Sequence, residues 1–90
     1  MKELEIVRRG YLEQPPFIKA IKTIRQEFDG VNTQEKVDAV KWCLARKPDI
    51  GKHEGKDVWS RKFSLYGLAE IKFYYTFTKR LIFFLHAEIV

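Results

Sequence analysis

Ninety residues leave room for one hydrophobic core, because a chain this short buries only about 60% of the surface it exposes when unfolded, and a second domain is excluded. Hydrophobic residues at 46% and aromatics at 14% carry too much apolar surface for a disordered chain in spite of 32% charge. The net charge of +5 is unevenly spread, with eight basic against seven acidic residues over 1–45 and nine against five over 46–90; the C-terminal half therefore favours a polyanionic partner, nucleic acid or an acidic protein, over a neutral metabolite.

In chain order, Leu4 and Ile6 alternate with charged residues and predict a short edge strand ending near Arg9 and Gly10. Pro15 and Pro16 suit the first turn of a helix, where a missing N–H costs nothing. Phe17, Ile21, Ile24 and Phe28 draw the apolar stripe of that helix, leaving Lys19, Lys22, Arg25 and Gln26 for solvent, and Asp29-Gly30 ends it. Asn32 or Thr33 can cap a second helix, with Glu35 three residues after Asn32 as in a capping box. Val37, Val40 and Leu44 continue a helical stripe that Cys43 widens, and Arg46 and Lys47 suit the negative end of the helix dipole before Pro48. The two segments read as an antiparallel helical pair.

Residues 49–57, DIGKHEGKD, have no periodicity and read as an exposed loop. Beyond them the period changes to two. Val58 to Leu65, Glu70 to Thr78 and Arg80 to Ile89 are rich in aromatic and β-branched residues and predict an antiparallel meander, broken at Tyr66-Gly67 and Lys79-Arg80. Ile71, Phe73, Tyr75 and Phe77 share one face of the middle strand, with Lys72, Tyr74, Thr76 and Thr78 on the other. The last strand is apolar on both faces at first, which predicts a central position. The expected fold is α+β, in the order β-α-α-β-β-β, with two N-terminal helices packed on one face of a small antiparallel sheet.

The longest apolar run, Leu81 to Leu85, is far short of the roughly 18 to 20 residues that span a bilayer, and Met1 to Glu5 lack the apolar core of a secretory signal. No membrane partner and a cytoplasmic, reducing location are expected. The single cysteine, Cys43, excludes an internal disulfide, and two histidines with one thiol give no metal-ligand spacing.

Lys47-Pro48 at the end of the second helix, a charged loop, Val58-Trp59-Ser60-Arg61-Lys62-Phe63, a short turn, Glu70-Ile71-Lys72-Phe73-Tyr74-Tyr75 and the terminal Leu81-Ile82-Phe83-Phe84-Leu85-His86-Ala87 together resemble the RelE/ParE toxin superfamily of bacterial type II toxin–antitoxin systems, most of all its phage-associated HigB-like branch. By element order the likeness covers nearly the whole chain; its motifs lie between residues 47 and 88. It implies a RelE-like fold and a metal-independent endoribonuclease that cuts messenger RNA, commonly on the ribosome, and is held inactive by a cognate antitoxin protein, with no small-molecule cofactor. In such nucleases the ribose 2′-hydroxyl attacks the adjacent phosphate, which calls for a proton acceptor, cations over the phosphate and a proton donor to the leaving oxygen.

Carried over position by position, the resemblance makes Lys62 a contact to the reacting phosphate. Lys72, in the family's arginine position, would stabilise the developing charge as a point charge rather than a bidentate fork. Tyr74 would stack a base or donate a proton, and His86, as the one imidazole of this region, would be general acid or base. Lys52, Lys56 and Arg61 would bind the RNA backbone. Plainer roles compete: His86 as a packed core residue, Trp42 and Trp59 as packing anchors, Cys43 as a small hydrophobe. Two departures stand out, Ser60 where the best-known ribosome-dependent nucleases have lysine, and Ala87-Glu88-Ile89-Val90 where active members usually carry a basic residue. An acidic Glu88 repels RNA, so the alternative is a non-catalytic binding module on the same scaffold, gripping an acidic protein or nucleic acid. A gyrase inhibitor, as the ParE branch would imply, is favoured by no residue here.

Overall fold

The computed structural model describes residues 10–90, so the strand expected around Leu4 and Ile6 lies outside the described residues. Strand β1 (Gly10–Glu13) leads into helices α1 (Pro15–Glu27) and α2 (Thr33–Arg46). One turn of 3₁₀ helix (Pro48–Ile50) then precedes β2 (Lys52–Gly55), β3 (Val58–Leu65), β4 (Ala69–Phe77) and β5 (Leu81–Ile89). The strands form one sheet in the order β1-β5-β4-β3-β2.

The architecture is α+β, with two corrections to the expected sheet. It is mixed, not antiparallel throughout, because β1 runs parallel to β5 while the other pairs are antiparallel; everything between β1 and β5 serves as the long connection that a parallel pair requires. The second correction concerns residues 49–57, which hold part of the 3₁₀ turn and an edge strand, β2. All four residues of β2 are exposed, so it has no hydrophobic period to read. Its ladder to β3, with Lys52 opposite Ser60 and His53 opposite Trp59, holds it in place.

Helix α1 begins on its two prolines and buries Phe17, Ile21 and Ile24. After it Gly30, at φ 97°, supplies the left-handed turn that a side chain would strain. Asn32 caps α2: its Oδ1 accepts from the Glu35 N–H at 3.1 Å while its amide donates to the Glu35 carboxylate at 2.7 Å. The buried stripe of α2 is narrower than its sequence implies. Val37, Leu44 and Ala45 are buried, whereas Cys43 is exposed and Trp42 is 47% exposed, so neither widens nor anchors the core. Helix α1 seats mainly on β5, while α2 contacts the 3₁₀ turn and touches α1, β3 and β5 about equally.

Between helices and sheet lies a core in which Phe17 meets Phe73 edge-on at 5.0 Å and Phe84 at 5.2 Å. Leu65, Ile71, Tyr75 and Ile82 complete the sheet side, each large side chain contributing about 1.5–3 kcal/mol by leaving water. The Tyr75 hydroxyl donates to the Pro48 carbonyl, which ties the 3₁₀ turn to the sheet. Among the described residues no helix is long and apolar enough to cross a membrane.

Candidate functional site

Residues directly opposite one another on paired strands share a face of the sheet. The β3–β4 register sets Lys62 opposite Lys72 and Ser60 opposite Tyr74. On the next strand Lys72 faces Glu88 and Tyr74 faces His86, and Lys52 stands opposite Ser60. Two rows result on the face away from the helices: Lys62, Lys72, Glu88; and Lys52, Ser60, Tyr74, His86. All four residues singled out for catalysis are thus together, with Lys52 beside them. Arg61 is not: it pairs with Phe73 on the helix side and its guanidinium donates to the Ile50 carbonyl at 3.5 Å. Lys56 sits beyond the rows in the β2–β3 turn, at φ 49°.

His86 reaches this face through a bulge. Tyr75 pairs with Phe84 but Tyr74 with His86, so β5 carries one extra residue, Leu85, at that point. Simple alternation from the buried Phe84 would turn His86 into the core; the bulge turns it outward and sends Ala87 inward instead. His86 is accordingly exposed, not packed.

The groups touch in sequence. The Lys72 ammonium lies 5.0 Å from the centroid of the Tyr74 ring, and that ring stacks on His86 at 6.0 Å and 24°. The Tyr74 ring is thus engaged by two neighbours while the residue stays partly exposed.

Glu54 and Glu88 bring carboxylates against these groups. Glu54 accepts from the Ser60 hydroxyl and lies 3.5 Å from the Lys72 ammonium. The Ser60 hydrogen bond, then the charges of Lys72 and Lys52, hold Glu54 below the ordinary carboxylate range against a partial desolvation that opposes them. The Tyr74 phenol oxygen first, and the Glu54 carboxylate after it, raise the Lys72 ammonium above its usual range. Glu88 Oε2 accepts from the Tyr74 hydroxyl at 3.4 Å, and its Oε1 lies 3.8 Å from His86 Nε2, an ion pair when the imidazole is protonated. A bulge between His53 and Gly55 accompanies the placement of Glu54, and the Ser60 hydroxyl donates to its carboxylate.

Lys62 is exposed, and among the described residues no carboxylate pairs with it. It stands directly across from Lys72, a like-charge juxtaposition that costs stability in the absence of an anion. Among the described residues no three His, Cys, Asp or Glu side chains gather as metal ligands would. The face therefore combines a carboxylate acceptor, two facing ammonium groups, a phenol and an imidazole. Set against family models, curated proteins and solved structures, the chain matches none.

Proposed function

We propose that the chain is a toxin-like endoribonuclease of RelE-like fold from a type II toxin–antitoxin system, cutting messenger RNA without a metal and restrained by a cognate antitoxin. The observation that carries this reading is the gathering of Lys62, Lys72, Tyr74 and His86 with Glu54 on one open sheet face. Glu54 accepts the proton of the ribose 2′-hydroxyl as its oxygen bonds to phosphorus. The bond from phosphorus to the 5′ oxygen breaks, and protonated His86 gives its proton to that oxygen, leaving a 2′,3′-cyclic phosphate and a 5′-hydroxyl end. Lys62 and Lys72 flank the phosphate, where the developing charge turns their mutual repulsion into joint attraction.

Removing one preorganised charge contact of this kind lowers a rate on the order of a hundredfold. Lys72→Ala is expected to relieve growth arrest on induction, and to abolish new 5′ ends on messenger RNA in primer extension, with its circular dichroism unchanged. A folded Lys72→Ala protein that still arrests growth and still cuts rejects the assignment.

One observation favours the second reading, a non-catalytic module that grips an acidic protein or nucleic acid. Glu54 and Glu88 already answer Lys72, Tyr74 and His86 from within, which leaves Lys62 and Lys52 as the outward cations. Tight RNA or protein binding with no new 5′ ends selects that reading.

A further inference from the structure

Glu88 makes an unusual use of its two oxygens. One faces the Tyr74 hydroxyl at 3.4 Å and the other His86 Nε2 at 3.8 Å, so a single anion spans two different donors, as the two non-bridging oxygens of a phosphodiester would. Its own register partner is Lys72, whose ammonium is committed to Glu54 on the far side. Glu88 thus occupies the Tyr74–His86 end of the face, while at the Lys62 end the register sets Glu70 opposite Ser64, and among the described residues no carboxylate pairs with Lys62. Its side chain is 46% exposed and that of His86 48%, so it can swing into water without disturbing the core.

Resting on the RNA-directed reading above, we propose that Glu88 is an internal substitute for the substrate's phosphate, an autoinhibitory carboxylate that a phosphodiester of RNA must displace to reach Tyr74 and His86. An anion of the chain held where the substrate's anion goes lowers affinity in two ways. It occupies the donors, and it repels the incoming charge while it lingers nearby.

The test is Glu88→Gln, which keeps the size of the side chain and removes its charge. Glu27→Gln, on the exposed side of α1, serves as a control for net charge alone. The probe is a short, labelled 2′-O-methyl oligoribonucleotide, which lacks the attacking hydroxyl and so reports binding without cleavage. Glu88→Gln is expected to bind about fivefold more tightly than the wild type, the Boltzmann factor for one unit charge about 4 Å from another in water. The slope of log K against log salt should steepen by about 0.7, the increment for one more phosphate neutralised on a single strand. Glu27→Gln should do neither.

A wild type that binds, with Glu88→Gln binding no more tightly, overturns the gate and leaves the RNA-directed reading standing. If no protein binds the oligonucleotide, the RNA-directed reading falls, and the gate is decided by inorganic phosphate followed through the Tyr74 and His86 ring signals in NMR. Saturable shifts in Glu88→Gln that are absent from the wild type uphold it; the same response in both overturns it.

Discussion

Tyr75 joins the core to the site, and its chemistry is measurable without any substrate. Fully buried and donating to the Pro48 carbonyl, it has its phenol pushed up to about 12, chiefly by burial. A folded-state value above the unfolded one means that the stability it contributes is fully present below the unfolded value near 10 and is lost as pH rises toward 12. Two pH units correspond to about 2–3 kcal/mol. Tyr75→Phe should abolish this alkaline loss while costing about 1 kcal/mol at neutral pH, where Pro48 is left without its donor. Urea unfolding of both proteins across that range is the measurement, and parallel losses in the two would show that another group controls the alkaline limb. On alternate positions of the same strand Lys72 and Tyr74, both half-buried, face the other way, so one strand carries a buried phenol and a partly exposed one.

At the scale of elements, what was legible in the sequence was whatever buries a periodic face. The stripe of α1, the Asn32–Glu35 cap, the alternation of β4 and the central place of β5 all follow from spacing, because each period records which side meets the core. Strand β2 has no buried side, so only its backbone ladder marks it and nothing in residues 52–55 could announce it. The same blindness hid Glu54. His86 was misjudged in its plainer role for a different reason: the Leu85 bulge changes the phase of β5 midway, and a bulge leaves no periodic signature. The assembly of Lys62, Lys72 and Tyr74 was legible because β3 and β4 alternate without interruption. Gly51 tests how β2 is held. A Cβ there would collide with the Tyr75 hydroxyl and come within 2.5 Å of the Ser60 carbonyl oxygen, so backbone must shift. Gly51→Ala should cost about 1–3 kcal/mol and, by moving β2 with its Glu54, should reduce RNA cleavage more than the loss of folded protein explains. A thermal melt paired with a cleavage assay at a temperature where both proteins are folded separates the two effects; an unchanged melting temperature would mean that the turn accommodates the methyl.

The whole molecule divides its labour between two sides of one sheet. The helices cover the side where Phe73, Tyr75, Ile82 and Phe84 lie, and the candidate site occupies the other, where no helix of the described residues intrudes. Substitutions at Lys62 or His86 therefore leave the core untouched and should move stability by no more than about 0.5 kcal/mol, and Lys72→Ala, which loses the Glu54 and Tyr74 contacts, by about 1 kcal/mol, whereas substitutions beneath the sheet should remove function only by removing the fold. Phe17 is the sharpest case, since its ring meets Phe73 of β4 and Phe84 of β5. Truncating such a residue to alanine costs about 3–5 kcal/mol, set against a total stability of about 5–15 kcal/mol for a single domain. At roughly 4–8 °C of melting temperature per kcal/mol in a chain of this size, Phe17→Ala should melt some tens of degrees lower, if it folds at all. Circular dichroism melts of Phe17→Ala and Lys72→Ala, read beside their growth phenotypes, distinguish the two routes to inactivity. Loss of toxicity with a nearly intact melt belongs to the open face, loss of both to the core, and a Phe17→Ala protein melting within a few degrees of the wild type would mean that α1 is held to the sheet by something other than this ring.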